Sequence, residues 1–283
     1  MSKHFSSGIR RCLRRWFYPL LSVSVALAIG LSSLPPAQAF SWQDLIFRGI
    51  QVIQLSTLSD RQEVELGEQI DGELVGGEIR LLRNREATAY IDRIGQQLAR
   101  AGDRPDIPYT FQVVDDPEIN AFATMGGFVY VNKGLMLAAD NEAELASVIA
   151  HEIGHIVGRH SVEQMRRMAI AQGVASVAGI DSNMAVQIGV ELALRRPHSR
   201  SAEYEADRLG VEALVRAGYD GRAAVDFLAK LLGGGSPPTF LSTHPATGDR
   251  IEALEREIDG TATASGAGMD TATYRATLDH LFS

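Results

Sequence analysis

The sequence lacks most of the devices that staple a small exported protein together. It has one cysteine, Cys12, so no disulfide can form within the chain. It also lacks a basic excess: 27 lysines and arginines stand against 35 acidic residues, a formal charge of −8. Such a surface is a poor partner for nucleic acid or anionic lipid. Long apolar runs are missing too, apart from "YPLLSVSVALAIGLSSL" near the N-terminus, which serines interrupt and which is short for a bilayer span. No internal repeat is present, which argues against a solenoid.

That apolar run sits in a recognisable context. Lys3, Arg10, Arg11, Arg14 and Arg15 precede it with no acidic residue, and "PPAQAF" follows, with Ala37 and Ala39 spaced like a small-residue cleavage site before Phe40. Residues 1–39 therefore read as a secretory signal peptide, with an uncleaved membrane anchor as the alternative. The expected location is the periplasm or an equivalent extracytoplasmic compartment, with membrane association only through an uncleaved signal. Cleavage leaves 244 residues, enough for one domain with a sizeable core, and takes the charge from −8 to −13. Cys12 departs with the leader, so stability must come from the core and any bound metal.

The remainder reads as α+β and mostly helical. Helices are expected over 41–58, 60–74 and 86–101, the last with Ala89, Ile91, Ile94, Leu98 and Ala101 in helical rhythm. Pro105 and Pro108 break the pattern, and "YTFQVVDD" and "GFVYVNKG" then read as strands. Asn141 starts a central helix, with Glu144 completing a capping box and no internal proline before Met168. Further helices are expected over 201–217, 221–232 and 246–258. Between Met165 and Pro197 the alternation of Met184, Val186, Ile188, Val190, Leu192 and Leu194 fits a strand. The abundance of alanine, glutamine and glutamate there fits a helix, which is the reading adopted, and the segment is long enough to form a lid over a cleft. The expected domain spans 40–259, followed by a linker and short C-terminal helix over 260–283. There Tyr274, Leu278, Leu281 and Phe282 form an apolar face able to dock on its own domain or a neighbour.

Chemistry concentrates in "HEIGHIVGRH", residues 151–160. His151 and His155 lie one helical turn apart on one face, so both imidazoles can reach one ion. Glu152 is adjacent and can lean over the same site, the H-E-x-x-H arrangement of zinc hydrolases, in which the glutamate is general base. A pair of satisfied helix histidines is the plain alternative. On a continuous helix His160 falls roughly 160° from the middle of that pair, so it reads as a surface or packing histidine. A catalytic zinc needs a third protein ligand and an open position. Glu203 in "SAEYEADRLG" is the best candidate, with Asp207 four residues on, able to accept the free N–H of a ligand histidine. Glu205 points to the opposite side and reads as solvated. An acidic pair on a helix surface is the plain alternative here.

"HEIGH" followed by "EYEAD", with "NAFATMGGFVYVNKG" ahead and "STHPATGDR" behind, resembles the zinc metallopeptidases of the CAAX prenyl protease and HtpX type, in particular their soluble bacterial periplasmic members. The resemblance covers about residues 60–258. It implies a zincin-like domain with a small sheet whose edge strand borders the active-site cleft. It implies one Zn2+ per chain held by His151, His155 and Glu203, with Asp207 behind them. His244, in the T-H-P turn, then lies beside the metal and either stabilises the transition state or takes the water's position in a resting form. Arg250 is placed near the tetrahedral intermediate, where a donor to developing negative charge lowers the barrier. A loop histidine and a surface ion pair are the plain alternatives.

Gly126, Gly127, Phe128, Val129 and Tyr130 are expected to form a strand that pairs with an extended substrate, or else an ordinary core strand. Met125 stands where the family often has proline. The resulting expectation is a zinc endopeptidase, with Glu152 as general base, acting on unfolded or misassembled exported proteins. A zinc-containing chaperone or binding protein with a latent site is the first rival. A metal-dependent hydrolase of a non-peptide substrate is the second.

Overall fold

The computed structural model describes residues 52–53, 55–171, 180–234, 238–245, 248–259 and 266–283. The expected signal peptide, most of the expected helix over 41–58 and the linker over 260–265 lie outside them.

Each long helix begins where its sequence supplies a cap. Ser59 and Gln62 form a capping box at the start of α1 (Asp60–Glu73), and Asn84 accepts from the Ala87 N–H at the start of α2 (Arg85–Ala101). Asn141 likewise accepts from the Glu144 N–H and opens α4 (Glu142–Val157). The reciprocal half of that box differs from expectation: Glu144 reaches the Asp140 N–H and Lys230 instead. Between α2 and α4 lie three strands, β2 (Thr110–Val114), β3 (Ala121–Ala123) and β4 (Phe128–Asn132), and the short α3 (Lys133–Ala138). A two-residue β1 (Val52–Ile53) pairs antiparallel with β5 (Ile180–Asp181), so residues 52–53 are extended rather than helical.

The sheet order is β2-β4-β3, with β2 parallel and β3 antiparallel to the central β4. Strand alternation divides the core in two. Phe111, Val113, Ala121, Ala123, Val129 and Val131 face a cluster shared with α2 and α4. Val114, Phe122, Phe128 and Tyr130 face a second cluster with α1, α5 (His160–Ala171) and α6 (Ser182–Arg195). Phe122 and Tyr130 stack there, with ring centres 4.6 Å apart. Because both faces of the sheet are covered, β4 is an uninterrupted buried run.

α4 is buried on every side from Ala143 to Ile156, which places the H-E-x-x-H residues in the interior. α7 (Arg200–Arg216) packs across it, followed by α8 (Arg222–Gly233), the one-turn α9 (Thr239–Thr243), α10 (Gly248–Asp259) and α11 (Thr271–Phe282). α6 settles the ambiguous stretch over 184–194 as helix. α11 docks on its own domain: Tyr274, Leu278 and Leu281 join the main core, and the Tyr274 hydroxyl donates to the Met136 carbonyl at 2.6 Å. The residues from 266 onward therefore belong to the same packed body as the rest. Among the described residues no helix is long and apolar enough to cross a membrane.

One expectation fails in an informative way. The central helix does not continue to Met168. It stops at Val157, and Arg159 adopts a left-handed backbone (φ 54°) that starts α5 in a new direction.

Candidate metal centre

The site is assembled where α4 and α7 cross. Their backbones come unusually close because glycine occupies the contact on each helix. A Cβ on Gly154 would lie 2.5 Å from the Ala206 carbonyl oxygen, and one on Gly210 would lie 3.0 Å from the Ala150 carbonyl. This approach brings Glu203 of α7 to the His151 and His155 rings of α4. The turn after α9 brings His244 from the other side.

Among the described residues, His151, His155, Glu203 and His244 form the one group of side chains able to share a metal ion, and all four are buried. His151 Nε2 lies 3.1 Å from His155 Nε2, 3.2 Å from His244 Nδ1 and 3.6 Å from Glu203 Oε2. Glu203 Oε1 lies 3.5 Å from His155 Nε2 and 3.3 Å from His244 Nδ1. A tetrahedron with metal–ligand bonds of 2.0–2.1 Å has edges of about 3.3 Å. The separations of 3.1–3.6 Å scatter about that value, so the four side chains lie close enough to share one ion of that size.

The electrostatics point the same way. Glu152, Glu203 and Asp207 place three carboxylates in the interior against one guanidinium, Arg250. A divalent cation would balance the excess. Burial pushes the His151 pKa down, but hydrogen bonds to Asp207 and Glu203 overcome this and carry it up to about 10. Burial alone would raise Glu203, yet its contacts with His151, His155 and His244 hold it far below the usual carboxylate range. Burial raises Glu152, opposed by the charges of His244 and His151. Neither Glu152 oxygen makes a hydrogen bond of ordinary geometry, and His244 Nε2 stands 3.4 Å from Oε1.

Asp207 and Arg250 brace this group from behind. Asp207 Oδ1 is 3.0 Å from His151 Nδ1, so it accepts that N–H and leaves Nε2 free for an ion. Arg250 donates through Nε and Nη2 to the two Asp207 oxygens at 2.7 Å each, and its Nη1 is 2.7 Å from Glu203 Oε2. Nη1 also donates to the Pro245 carbonyl. In this structure the N–H groups of Arg250 bond the two carboxylates and the turn.

The profile of peptidase family M48 matches residues 85–258. The chain belongs to that family. The beta-barrel assembly-enhancing protease of Escherichia coli (strain K12) is 33% identical over 248 residues, 82% of this chain and 50% of that protein. A Vibrio cholerae protein provisionally given the same name is 38% identical over 212 residues, 64% of this chain and 43% of its own length. The mitochondrial metalloendopeptidase OMA1 of Schizosaccharomyces pombe is 30% identical over 175 residues, 59% of this chain and 52% of that protein. The chain thus spans about half the length of these relatives.

Within this M48 chain, the expected peptide-binding strand is corrected. Gly126 to Tyr130 lie at the start of β4, which is the central strand and has both edges paired. Gly126 and Gly127 have positive φ (80° and 102°) and pack against Glu63 and Val64 of α1 and the 107–109 turn, leaving no room for a substrate. The free edge nearest the metal group belongs to β3, three residues long and too short to stand out in the sequence. Its pairing with β4 runs through Asn120, Phe122 and Thr124, so the N–H and C=O groups of Ala121 and Ala123 point away from the sheet.

Two further histidines belong to the centre. His160 is buried, with Nδ1 2.9 Å from His155 Nδ1. An unbroken helix would place it on the far side; the left-handed turn at Arg159 brings it back. Glu205, read as solvated, is half exposed but lies 3.3 Å from His160 Nε2. The His198 ring stacks on His155 at 4.0 Å between centres, and burial and the His244 charge push its pKa down to about 3. No spacing motif singled out His198; its one signal was its place in the turn leading into α7. His160, His198 and Glu205 also line a cleft of about 410 Å³.

Proposed function

We infer that the chain is a zinc endopeptidase with His151, His155 and Glu203 as ligands and Glu152 as general base. The observation that carries this reading is the buried Glu152 carboxylate, without a hydrogen bond of ordinary geometry, beside a clustered group of four possible metal donors. A purely structural metal site gains nothing from such a group. Two imidazoles and one carboxylate form a donor set suited to zinc.

When bound, zinc supplies Lewis acidity, which eases proton loss from water and polarises a peptide carbonyl. The chain's own residues do the remaining work. Glu152 takes the proton of the attacking water and passes it to the leaving amine; burial raises its pKa towards the range such a shuttle needs. Asp207 keeps His151 in the tautomer that presents Nε2. Arg250 holds Asp207 and Glu203 in register. The edge of β3 that has no strand partner, buried in this form, receives the substrate main chain once the segment covering it moves, a mode that is largely blind to side chains.

Unfolded or misassembled exported proteins are the substrates that this reading favours. Support comes from the leader-like N-terminus and from relatives named for β-barrel assembly. The OMA1 relatives are named as mitochondrial, so the periplasmic assignment rests on the leader.

A latent form is favoured by one specific observation. His244 Nδ1 is the fourth donor of the group, and the Phe240 N–H, on the same segment, donates to Ile119 O, two residues before β3. His244→Ala is therefore expected to raise activity; a loss would return His244 to stabilising the transition state. The main reading is tested by Glu152→Gln. Bound metal should stay at the parent level while casein cleavage disappears, and cleavage at the parent rate would refute the assignment.

A further inference from the structure

We propose that His160, steadied by Glu205, is the positioning residue for His155, fixing which nitrogen faces the metal and how the ring is turned. The proposal rests on the metal-centre reading above.

The geometry defines a directed chain of hydrogen bonds. His155 presents Nε2 to His151 Nε2 and Glu203 Oε1, so its proton belongs on Nδ1. That N–H points at His160 Nδ1, 2.9 Å away, which must accept. The His160 proton then sits on Nε2 and is donated to Glu205 Oε2 at 3.3 Å. His151 is held by one carboxylate, Asp207; His155 is held by an imidazole backed by a carboxylate. Outer partners of this kind orient ligand rings and raise their basicity.

The backbone is shaped for the contact. Arg159 takes the left-handed conformation that folds α5 back beside α4. Its side chain is anchored, with Nε 3.1 Å from Glu63 Oε2 and Nη2 donating to Leu58 O. A Cβ on Gly158 would lie 2.5 Å from His160 Nε2 and 2.7 Å from Cε1, so glycine leaves room for the ring. His198 stacks on the face of His155 while His160 holds its edge, so the ligand is fixed in two directions.

The test measures zinc affinity of the full-length protein by competition with a chromophoric chelator. The absorption spectrum of the Co2+-substituted protein and the melting temperature of the metal-free protein are read alongside. His160→Phe keeps a ring and removes the acceptor; it should weaken zinc binding by about 10- to 100-fold and shift the Co2+ spectrum. His160→Asn places an oxygen near the former Nδ1 and should recover most of the affinity. Glu205→Ala, at the exposed end, should fold normally and lose about threefold or more; it decides the matter if the Phe variant does not fold.

A merely structural His160 would lower the metal-free melting temperature of the Phe variant and leave affinity unchanged. Parent-like affinity in both His160→Phe and Glu205→Ala, or an Asn variant no better than Phe, overturns the proposal. A parent protein that binds no zinc overturns the metal-centre reading as well, an outcome distinct from a parent and variants that bind equally.

Discussion

Replacing Gly154 by alanine tests whether the close crossing of α4 and α7 sets the metal site. The new Cβ would lie 2.5 Å from Ala206 O and 3.0 Å from Ala206 Cα. Ordinary contact begins at about 3.4 Å, so the helices must part by roughly 0.9 Å. Glu203 sits on α7 less than one turn before Ala206 and must move with it. Metal–ligand distances tolerate only about 0.2 Å, so the shift should weaken zinc binding by at least about tenfold. Overpacking of this kind costs about 1–3 kcal/mol, which lowers the melting temperature by roughly 2–10 °C in a domain of this size.

Gly210→Ala demands less movement, about 0.4 Å from a 3.0 Å contact, and should give a smaller loss of both quantities. Gly233→Ala, with open space around its Cβ, is the control and should be neutral or slightly stabilising. Calorimetry of the metal-free proteins and chelator competition provide the readouts. A Gly154→Ala protein with parent stability and parent zinc affinity would refute the crossing argument.

Other outcomes follow from the same packing. Arg250→Ala leaves Asp207 and Glu203 without their buried counter-charge and should cost about 3–5 kcal/mol, measured by denaturant unfolding, with little rescue by lysine, which cannot form the bidentate contact. Glu142 accepts from the Tyr90 and Tyr219 hydroxyls and pairs with Arg93; burial pushes its pKa up, but these partners win and hold it below the usual value. The stability it contributes is present above the unfolded carboxylate pKa and is lost as pH falls through the lower folded one, so Glu142→Gln should be destabilised by about 1–3 kcal/mol at neutral pH and converge on the parent in acid melts. Deleting residues 266–283 removes Tyr274, Leu278 and Leu281 from the core and should lower the melting temperature and expose apolar surface, read by dye binding.

Much of this was legible because it depended on local spacing. The pairing of His151 with His155 follows from one helical turn, and α1, α2, α7 and α8 follow from apolar rhythm and their flanking breakers, with side-chain caps at the first three. Glu203 and Asp207 share a helix face as the two histidines do, a weak signal alone that the resemblance of the E-x-x-x-D motif strengthens, and the structure brings Glu203 to the histidines. What failed depended on single residues or on tertiary pairing. Arg159 carries no sequence mark of a left-handed turn, so the break after Val157 and the return of His160 were hidden. β3 has three residues, too few for an alternation signal, so the sequence alone points to β4 as the substrate-facing strand. The ion pairs of Arg250 with Glu203 and Asp207 depend on α10 meeting α7, a long-range contact that spacing does not encode.

The central claim is that His151, His155 and Glu203 jointly hold a single divalent ion. Elemental analysis of the purified parent and of Glu203→Ala tests it most directly. The account predicts about one zinc per chain in the parent and nearly none in the variant. A parent without a stoichiometric transition metal, or a Glu203→Ala protein that retains its full complement, would contradict it.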